Sequence, residues 1–258
     1  MRSLKVWTVA NQKGGVGKTT TVISLSAILA LKGKKVLMID TDPHASLTYY
    51  FGIDSEELTC GVYDVFTRSS SMTQEQWQEC IWDSPVENLH ILPATMAMAT
   101  LDGVLGKKPG MGLIIKKALD KFAQDFDYVI IDCPPVLGVL MVNALAACDK
   151  VLIPVQTECM ALKGLERMHR TMELIQVSQD KSYNSYIIPT MYDKRTRASI
   201  TAYKELRETY GDQVWEGVIP IDTKFRNASM EQLPLPVYAK SARGVFAYSE
   251  LLKKLDKE

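Results

Sequence analysis

The sequence predicts an α/β fold: a doubly wound, mostly parallel sheet with helices on both faces. Three observations predict it. Short continuous apolar runs, such as VLMID at 36–40 and YVIID at 128–132, have strand length and lack polar alternation, which suits strands covered on both faces. Between them lie segments whose apolar residues recur three and four apart, the helical period. The two patterns alternate along the chain, the order that builds a parallel sheet through helical crossovers.

Val6–Ala10 reads as the first strand, and a glycine-rich loop follows it. Val22, Leu25, Ile28 and Leu29 then mark a helix, with Gly33 placed to cap its C-terminus. VLMID (36–40) is the second strand, ending in an acid. Ile53–Pro85 is polar and irregular and reads as an elaboration on the same domain. LHILPA (89–94) is a further strand, and Met111–Phe122 a helix. YVIIDCPP (128–135), KVLIPVQ (150–156) and YIIPTMYD (186–193) repeat the strand pattern. Leu162, Leu165, Met168, Met172 and Ile175 mark one helix between them, and Ile200, Tyr203, Leu206 and Tyr210 another. No repeat or low-complexity linker interrupts the series, so residues 1–258 read as a single domain.

Composition narrows the function. Thirty Lys+Arg balance thirty Asp+Glu, so no global field favours nucleic acid or anionic lipid, and any such binding needs a local patch. Five cysteines, at 60, 80, 133, 148 and 159, show no CxxC spacing. They read as free thiols of a reducing cytosol, not as a zinc or iron–sulfur site. The apolar stretch Val22–Leu31 has helical spacing and belongs to the fold, and Val136–Cys148 is too short to cross a bilayer. Neither membrane insertion nor secretion is expected.

The loop ANQKGGVGKTT (10–20) carries the strongest chemistry. Gly17, Lys18 and Thr19 supply the end of the phosphate-loop pattern GxxxxGK[ST], although Gln12 stands where its first glycine would fall. Gly14, Gly15 and Gly17, with Val16, are expected to turn backbone N–H groups toward phosphate oxygens, and the helix N-terminus adds about half a positive charge. Lys18 is then the β/γ-phosphate lysine, Thr19 offers its hydroxyl to Mg²⁺, and Thr20 reaches the α-phosphate. Asp132 ends a rigid apolar strand, the arrangement that aims a carboxylate at Mg²⁺ or its waters. Asp40 and Asp42 lie just past another strand, where a doubly wound fold assembles its site.

Lys13 is too early in the loop to be the usual phosphate lysine. KGGVGKTT resembles the deviant Walker A motif of the ParA/MinD family of ATPases, and DCPPVLGVLMVNALAACDKVLIPVQTE, KGLERM, MYDKRT and KSARG extend the resemblance from Val6 to about Leu252. The resemblance implies an ATPase that uses ATP and Mg²⁺ and dimerises when it binds ATP, with Lys13 touching the partner subunit's phosphates. It makes Asp42 the residue that positions or activates the attacking water and puts Asp40 close to the magnesium shell. It assigns adenine contacts to Pro220 and Asp222. Here His44 follows the Asp-Pro pair where the family more often has glutamine, and Asp222 replaces an asparagine.

ParA proteins bind DNA nonspecifically when dimeric, which puts Arg195, Arg197, Lys224 and Arg226 forward as DNA or partner contacts. PIDTKFRNAS, DPHAS and QTECMALKGLERM resemble the ParC-type branch, whose association with chemotaxis genes implies placement of receptor arrays at the cell pole through an anchor or stimulating protein. Partition of a chromosome or plasmid, with nonspecific DNA as track, is the alternative. A metabolic ATP-dependent synthetase ranks below both. A cytoplasmic protein at the pole or on the nucleoid is the expected location. The C-terminal YSELLKKLDKE reads as the last helix of the fold, not as a membrane-binding tail.

Overall fold

The computed structural model describes residues 4–68, 70–105, 111–179 and 182–256. Strand β1 (Lys5–Val9) runs through the glycine-rich loop into α1 (Lys18–Leu31), and β2 (Val36–Asp40) follows. Helices α2 (Ser46–Tyr50), α3 (Val62–Arg68) and α4 (Gln74–Glu79) lead to the short strand β3 (Trp82–Asp83) and to β4 (Leu89–Leu92). Helices α5 (Leu101–Leu105) and α6 (Ile114–Phe122) precede β5 (Tyr128–Asp132). Then come α7 (Val139–Ala147), β6 (Lys150–Gln156), α8 (Ala161–Gln179), β7 (Asn184–Thr190) and α9 (Arg197–Tyr210). Helices α10 (Lys224–Met230), α11 (Leu235–Tyr238) and α12 (Arg243–Leu255) follow.

The strands form one seven-stranded sheet in the order β3-β4-β2-β5-β1-β6-β7. Every pairing is parallel except β3 with β4. The predicted strands are therefore all present, with β3 added as an antiparallel edge. From β1 the chain crosses to β2, leaving a place that β5 later fills, so β1 lies at the topological switch, where such sheets bind ligands at strand C-termini. The register puts Asp132 beside both Val9 and Asp40. Loop and carboxylates thus meet at the C-terminal end of the sheet because three neighbouring central strands end together.

The continuous apolar runs are explained by two cores. Leu37, Ile39, Val129, Ile131, Val151 and Ile153 face α6, α7 and α8, while Val36, Met38, Ile130 and Leu152 face α1 and α12. Each fully buried Leu, Ile or Val contributes roughly 1.5–3 kcal/mol of hydrophobic stabilisation. Helix α1 is buried from Thr21 to Ala30, and such a helix, apolar on all sides, must be enclosed. α12 helps enclose it. Leu251, Leu252 and Leu255 are buried there, so this segment is the last helix of the fold, as expected. Gly33, at φ +75°, follows α1 and donates its N–H to the Ala30 carbonyl at 2.8 Å, the predicted cap.

Two expectations are corrected. The segment 53–85 is not irregular: it holds α3, α4 and β3. Thr73 and Gln76 form a reciprocal capping box that starts α4, a signal present in the sequence as T-x-x-Q. Nor are all five cysteines free. Returning through α3 and α4, the chain brings Cys60 and Cys80 together in a disulfide with their Cα atoms 4.8 Å apart, within the usual range. Cys133 and Cys148 are free and buried, and Cys159 is free and exposed. Among the described residues no helix is long and apolar enough to cross a membrane.

Candidate active site

The glycine-rich loop is shaped by positive-φ glycines and held by side chains from four directions. Gly15 (φ +71°) and Gly17 (φ +91°) take the left-handed region, which glycine enters without steric cost. Gly14 is set differently. It lies outside the left-handed region, it is exposed, and a Cβ built on it would meet nothing within 4 Å. The turn of the loop is therefore made by Gly15 and Gly17, and what Gly14 supplies is a bare, open backbone beside Lys13. Gly17 precedes α1 and its carbonyl accepts from the Thr21 N–H at 2.9 Å.

Asn11 donates to the Pro154 carbonyl at 2.8 Å and accepts from the Lys13 N–H at 3.0 Å, tying the loop to β6. Thr190, at the end of β7, donates its hydroxyl to the Val16 carbonyl at 2.8 Å. Gln12 donates to the Thr171 hydroxyl on α8 at 2.6 Å. From α12, the Tyr248 hydroxyl meets that of Thr21 at 2.8 Å, and Thr21 donates in turn to the Gly17 carbonyl. The loop and the α1 N-terminus are therefore fixed in place, and a helix N-terminus with free N–H groups is the arrangement that binds phosphate.

Lys18 is buried, and its Nζ donates to the Lys13 carbonyl at 3.2 Å, arching over the loop. The Thr19 hydroxyl donates to Asp132 Oδ2 at 2.6 Å. Asp132 Oδ1 is buried without a hydrogen-bond partner among the described residues. Burial first, and then the Asp40 charge, push the Asp132 carboxyl well above the usual carboxylate range, against the Thr19 hydrogen bond and the Lys18 charge. Asp40 is likewise raised, to about 6, chiefly by burial. Two adjacent acids that resist ionising, one with an orphaned oxygen beside a threonine hydroxyl, fit a divalent cation. Among the described residues no three His, Cys, Asp or Glu side chains group closely enough to hold a metal alone. That suits Mg²⁺, which one or two carboxylates hold together with phosphate and water.

Asp40 shapes the next turn as well. Its Oδ2 accepts from the Thr48 N–H at 2.9 Å and from the Thr48 hydroxyl at 2.8 Å, and its Oδ1 accepts from the Asp42 N–H at 3.1 Å. Asp42 Oδ1 accepts from the His44 N–H at 3.0 Å and lies 2.9 Å from His44 Nδ1. His44, absent from the site residues expected from the sequence, thus orients one.

Lys13 is ion-paired with Glu158, in the turn between β6 and α8. Glu158 was not legible as a site residue, because 145 positions separate the two.

A cavity of about 380 Å³ opens from Gly17 and Thr20 toward Thr190, Pro220, Asp222 and Tyr248. Pro220 and Asp222 are therefore at its wall. The Asp222 carboxylate is engaged by the chain itself: Oδ1 accepts from the Lys224 N–H at 3.0 Å and Oδ2 from the Gly244 N–H at 3.3 Å. The four basic candidates do not share one recess. Arg195 is held by Asp193 through two oxygens, at 2.9 and 2.7 Å, beside a separate cavity with Lys194 and Arg243. Arg197 begins α9 and Lys224 begins α10, both exposed. Arg226 lines the cavity that contains Gly17 and Thr20.

A parallel strand, a glycine-rich anion loop, a helix and a strand-end carboxylate next to the loop threonine define a P-loop NTPase fold. Residues 4–185 match the family described as AAA domain. The chain is 37% identical over 253 residues to the sporulation initiation inhibitor protein Soj of Bacillus subtilis (strain 168), covering 97% of this chain and 98% of that one. It is 34% identical over 252 residues to the chromosome-partitioning ATPase Soj of Treponema pallidum (strain Nichols), covering 97% and 96%. The chain belongs to the ParA/Soj family. Among solved structures, cobyrinic acid a,c-diamide synthase from Mycobacterium smegmatis with bound ADP and magnesium superposes with a TM-score of 0.84 at 33% identity, covering 98% of this chain and 94% of that one.

Proposed function

We propose that this chain is a Mg²⁺-dependent ParA-type ATPase in which ATP joins two copies and hydrolysis parts them. The observation that carries the reading is the meeting of the Thr19 hydroxyl and the half-unpartnered Asp132 carboxylate at the mouth of the phosphate loop. ATP and Mg²⁺ are the cofactors. The N–H groups of Gly14, Gly15, Val16 and Gly17, with Lys18, hold the β- and γ-phosphates, and Thr20 the α-phosphate. Thr19 and Asp132, with Asp40 behind them, hold the cation, which when bound neutralises charge between the phosphates. Asp42 orients the attacking water by accepting its hydrogen bond. Lys13 leaves Glu158 and serves the partner subunit's phosphates, where its charge balances the transferring group. Pro220 and the backbone at Asp222 bound the base.

The cargo reading is polar placement of chemotaxis arrays through an anchor protein. It rests on the ParC-like segments. The name of the Treponema relative favours a second reading, chromosome partition on nonspecific DNA, with Arg195, Arg197, Lys224 and Arg226 contacting phosphates. The synthetase name of the mycobacterial neighbour favours a third, in which ATP activates a small acid. One experiment separates the three. Asp42→Ala protein, loaded with ATP, is used as bait in a pulldown with and without DNase, and phosphate release by wild type is followed with water as the only acceptor. A DNase-resistant protein partner supports the polar reading. DNase-sensitive capture, salt-dependent and lost in Arg195→Ala/Arg197→Ala, supports partition. No phosphate release without an added acid removes the ATPase reading.

A further inference from the structure

One basic residue stands apart from the other three in where it lies. Arg226 lines the cavity that runs from the phosphate loop to Pro220, and it also lines a second cavity of about 380 Å³ that contains Thr19, Thr20 and Ser24 of α1 and Ser46 of α2. Thr20 and Phe225 are the other residues common to both. The Arg226 side chain therefore belongs to the partition between the two cavities, across from the second threonine of the phosphate loop.

Its position is fixed by its neighbour. Phe225 packs edge-on against Tyr248, ring centroids 6.1 Å apart. Gly244 passes so close to the Phe225 ring that a Cβ there would lie 2.4 Å from it. With Phe225 pinned against α12, the start of α10 is held beside the loop, and Arg226, an exposed residue, lines both cavities there. Asp222, which begins this turn, is itself bonded to the Lys224 and Gly244 N–H groups. Among the described residues no carboxylate pairs with the Arg226 guanidinium, whereas Arg195 is held by Asp193. A planar, always charged donor fork at the edge of a polyanion site matches phosphate geometry.

We propose that Arg226 binds the nucleotide, donating to its α-phosphate and ribose beside Thr20, and is not a DNA contact. The proposal rests on the ATPase reading above. It separates Arg226 from Lys13 by the part of the nucleotide each recognises. The α-phosphate is common to ADP and ATP, so Arg226 contributes equally to both and acts within one subunit, whereas Lys13 needs the γ-phosphate and a second copy.

The test is titration of fluorescent mant-ADP and mant-ATP with Mg²⁺ and no DNA. Arg226→Ala raises both dissociation constants about tenfold, the size expected for a lost charge-assisted hydrogen bond. Arg226→Lys, which keeps the charge but not the fork, recovers part of the loss. Lys204→Ala, an exposed lysine of α9 away from both cavities, serves as the charge control and changes either constant less than about twofold. Unchanged ADP affinity in Arg226→Ala overturns the proposal, as does an equal loss in Lys204→Ala, which makes the effect one of general charge. Retained ADP affinity with lost DNA retention overturns it in favour of a DNA contact. Wild type that binds neither nucleotide overturns the ATPase reading and this proposal with it.

Discussion

Lys13, at the head of the phosphate loop, is ion-paired with Glu158 in its own chain, across from the turn that starts α8. Both side chains are partly exposed, at 31% and 39%, so the pair itself is a weak, solvent-screened contact. Its weight is in geometry: it holds the lysine against its own subunit.

Releasing that contact should therefore favour the dimer. Glu158→Gln is expected to form the ATP-dependent dimer at lower protein concentration than wild type. Lys13→Ala should bind ATP yet remain monomeric, with turnover down about 10³-fold if the lysine acts as a finger in trans. Light scattering across a concentration series with a non-hydrolysable analogue reads the first effect, and phosphate release the second. Equal dimerisation in all three proteins would remove the role in trans.

Asp42→Ala should lock the ATP-bound state. The change removes the carboxylate to which the proposed function gives the attacking water and leaves the loop bonds of Asn11, Thr190 and Thr21 intact. ATP stays bound, phosphate release falls by at least about 10²-fold, and the dimer persists. His44, bonded to the same Asp42 oxygen, supplies the milder companion: His44→Gln keeps a hydrogen-bonding side chain and should alter turnover less than Asp42→Ala does. Normal turnover by Asp42→Ala would retire the water-orienting role.

Asp132→Asn probes the cation. The substitution preserves shape and removes the charge beside Thr19, so Mg²⁺-dependent nucleotide affinity should fall by about 10–100-fold, while binding measured in EDTA stays near the wild-type value obtained in EDTA. Equal losses with and without Mg²⁺ would mean that Asp132 supports the loop and not the metal.

His169 supplies a pH dependence away from the nucleotide. Its ring stacks on Tyr210 at 5.0 Å between centroids, and its buried Nε2 has no hydrogen-bond partner among the described residues. Burial pushes its pKa below the ordinary value of 6.5, with Glu173 pulling weakly upward. As pH falls through 6.5, the unfolded chain takes up a proton that the fold resists, and stability drops until the lower folded value is passed. His169→Phe keeps the stack and removes the titration. Between about pH 7.5 and about pH 5.5, where histidine titrates, wild type should lose more Tm than the variant. Parallel losses would show that His169 contributes nothing to the slope.

The fold was legible because its strands are buried on both faces. Continuous runs such as VLIPV and YVIID can sit nowhere else, and the alternation of Leu37 and Ile39 with Val36 and Met38 between two cores shows why neither face could be polar. The phosphate loop was legible because its chemistry is contiguous, although three glycines within four residues look alike on paper and only Gly15 and Gly17 take positive φ. What escaped was built from distant residues. Glu158, Thr190 and Tyr248 each reach the loop from another element, and no local pattern marks them. The Cys60–Cys80 pairing escaped because it depends on the turnback made by α3 and α4, two helices of only seven and six residues, too short to stand out by their period. Asp222 was legible as a position but not as a role, since the Gly244 N–H that it accepts from lies on a helix start 22 residues further on.

That last bond has a consequence for how the protein is made. Domains begin to fold from their N-terminal part during synthesis, and by residue 210 the ribosome has delivered the whole phosphate loop and the three acids Asp40, Asp42 and Asp132. The cavity wall from Pro220 onward and the α12 cover over α1 are still missing. A nascent chain of that length carries the loop without Tyr248, which bonds Thr21, and without the cavity wall at Pro220 and Asp222. On the proposed function, nucleotide capture and any pairing of copies would wait for the last part of translation.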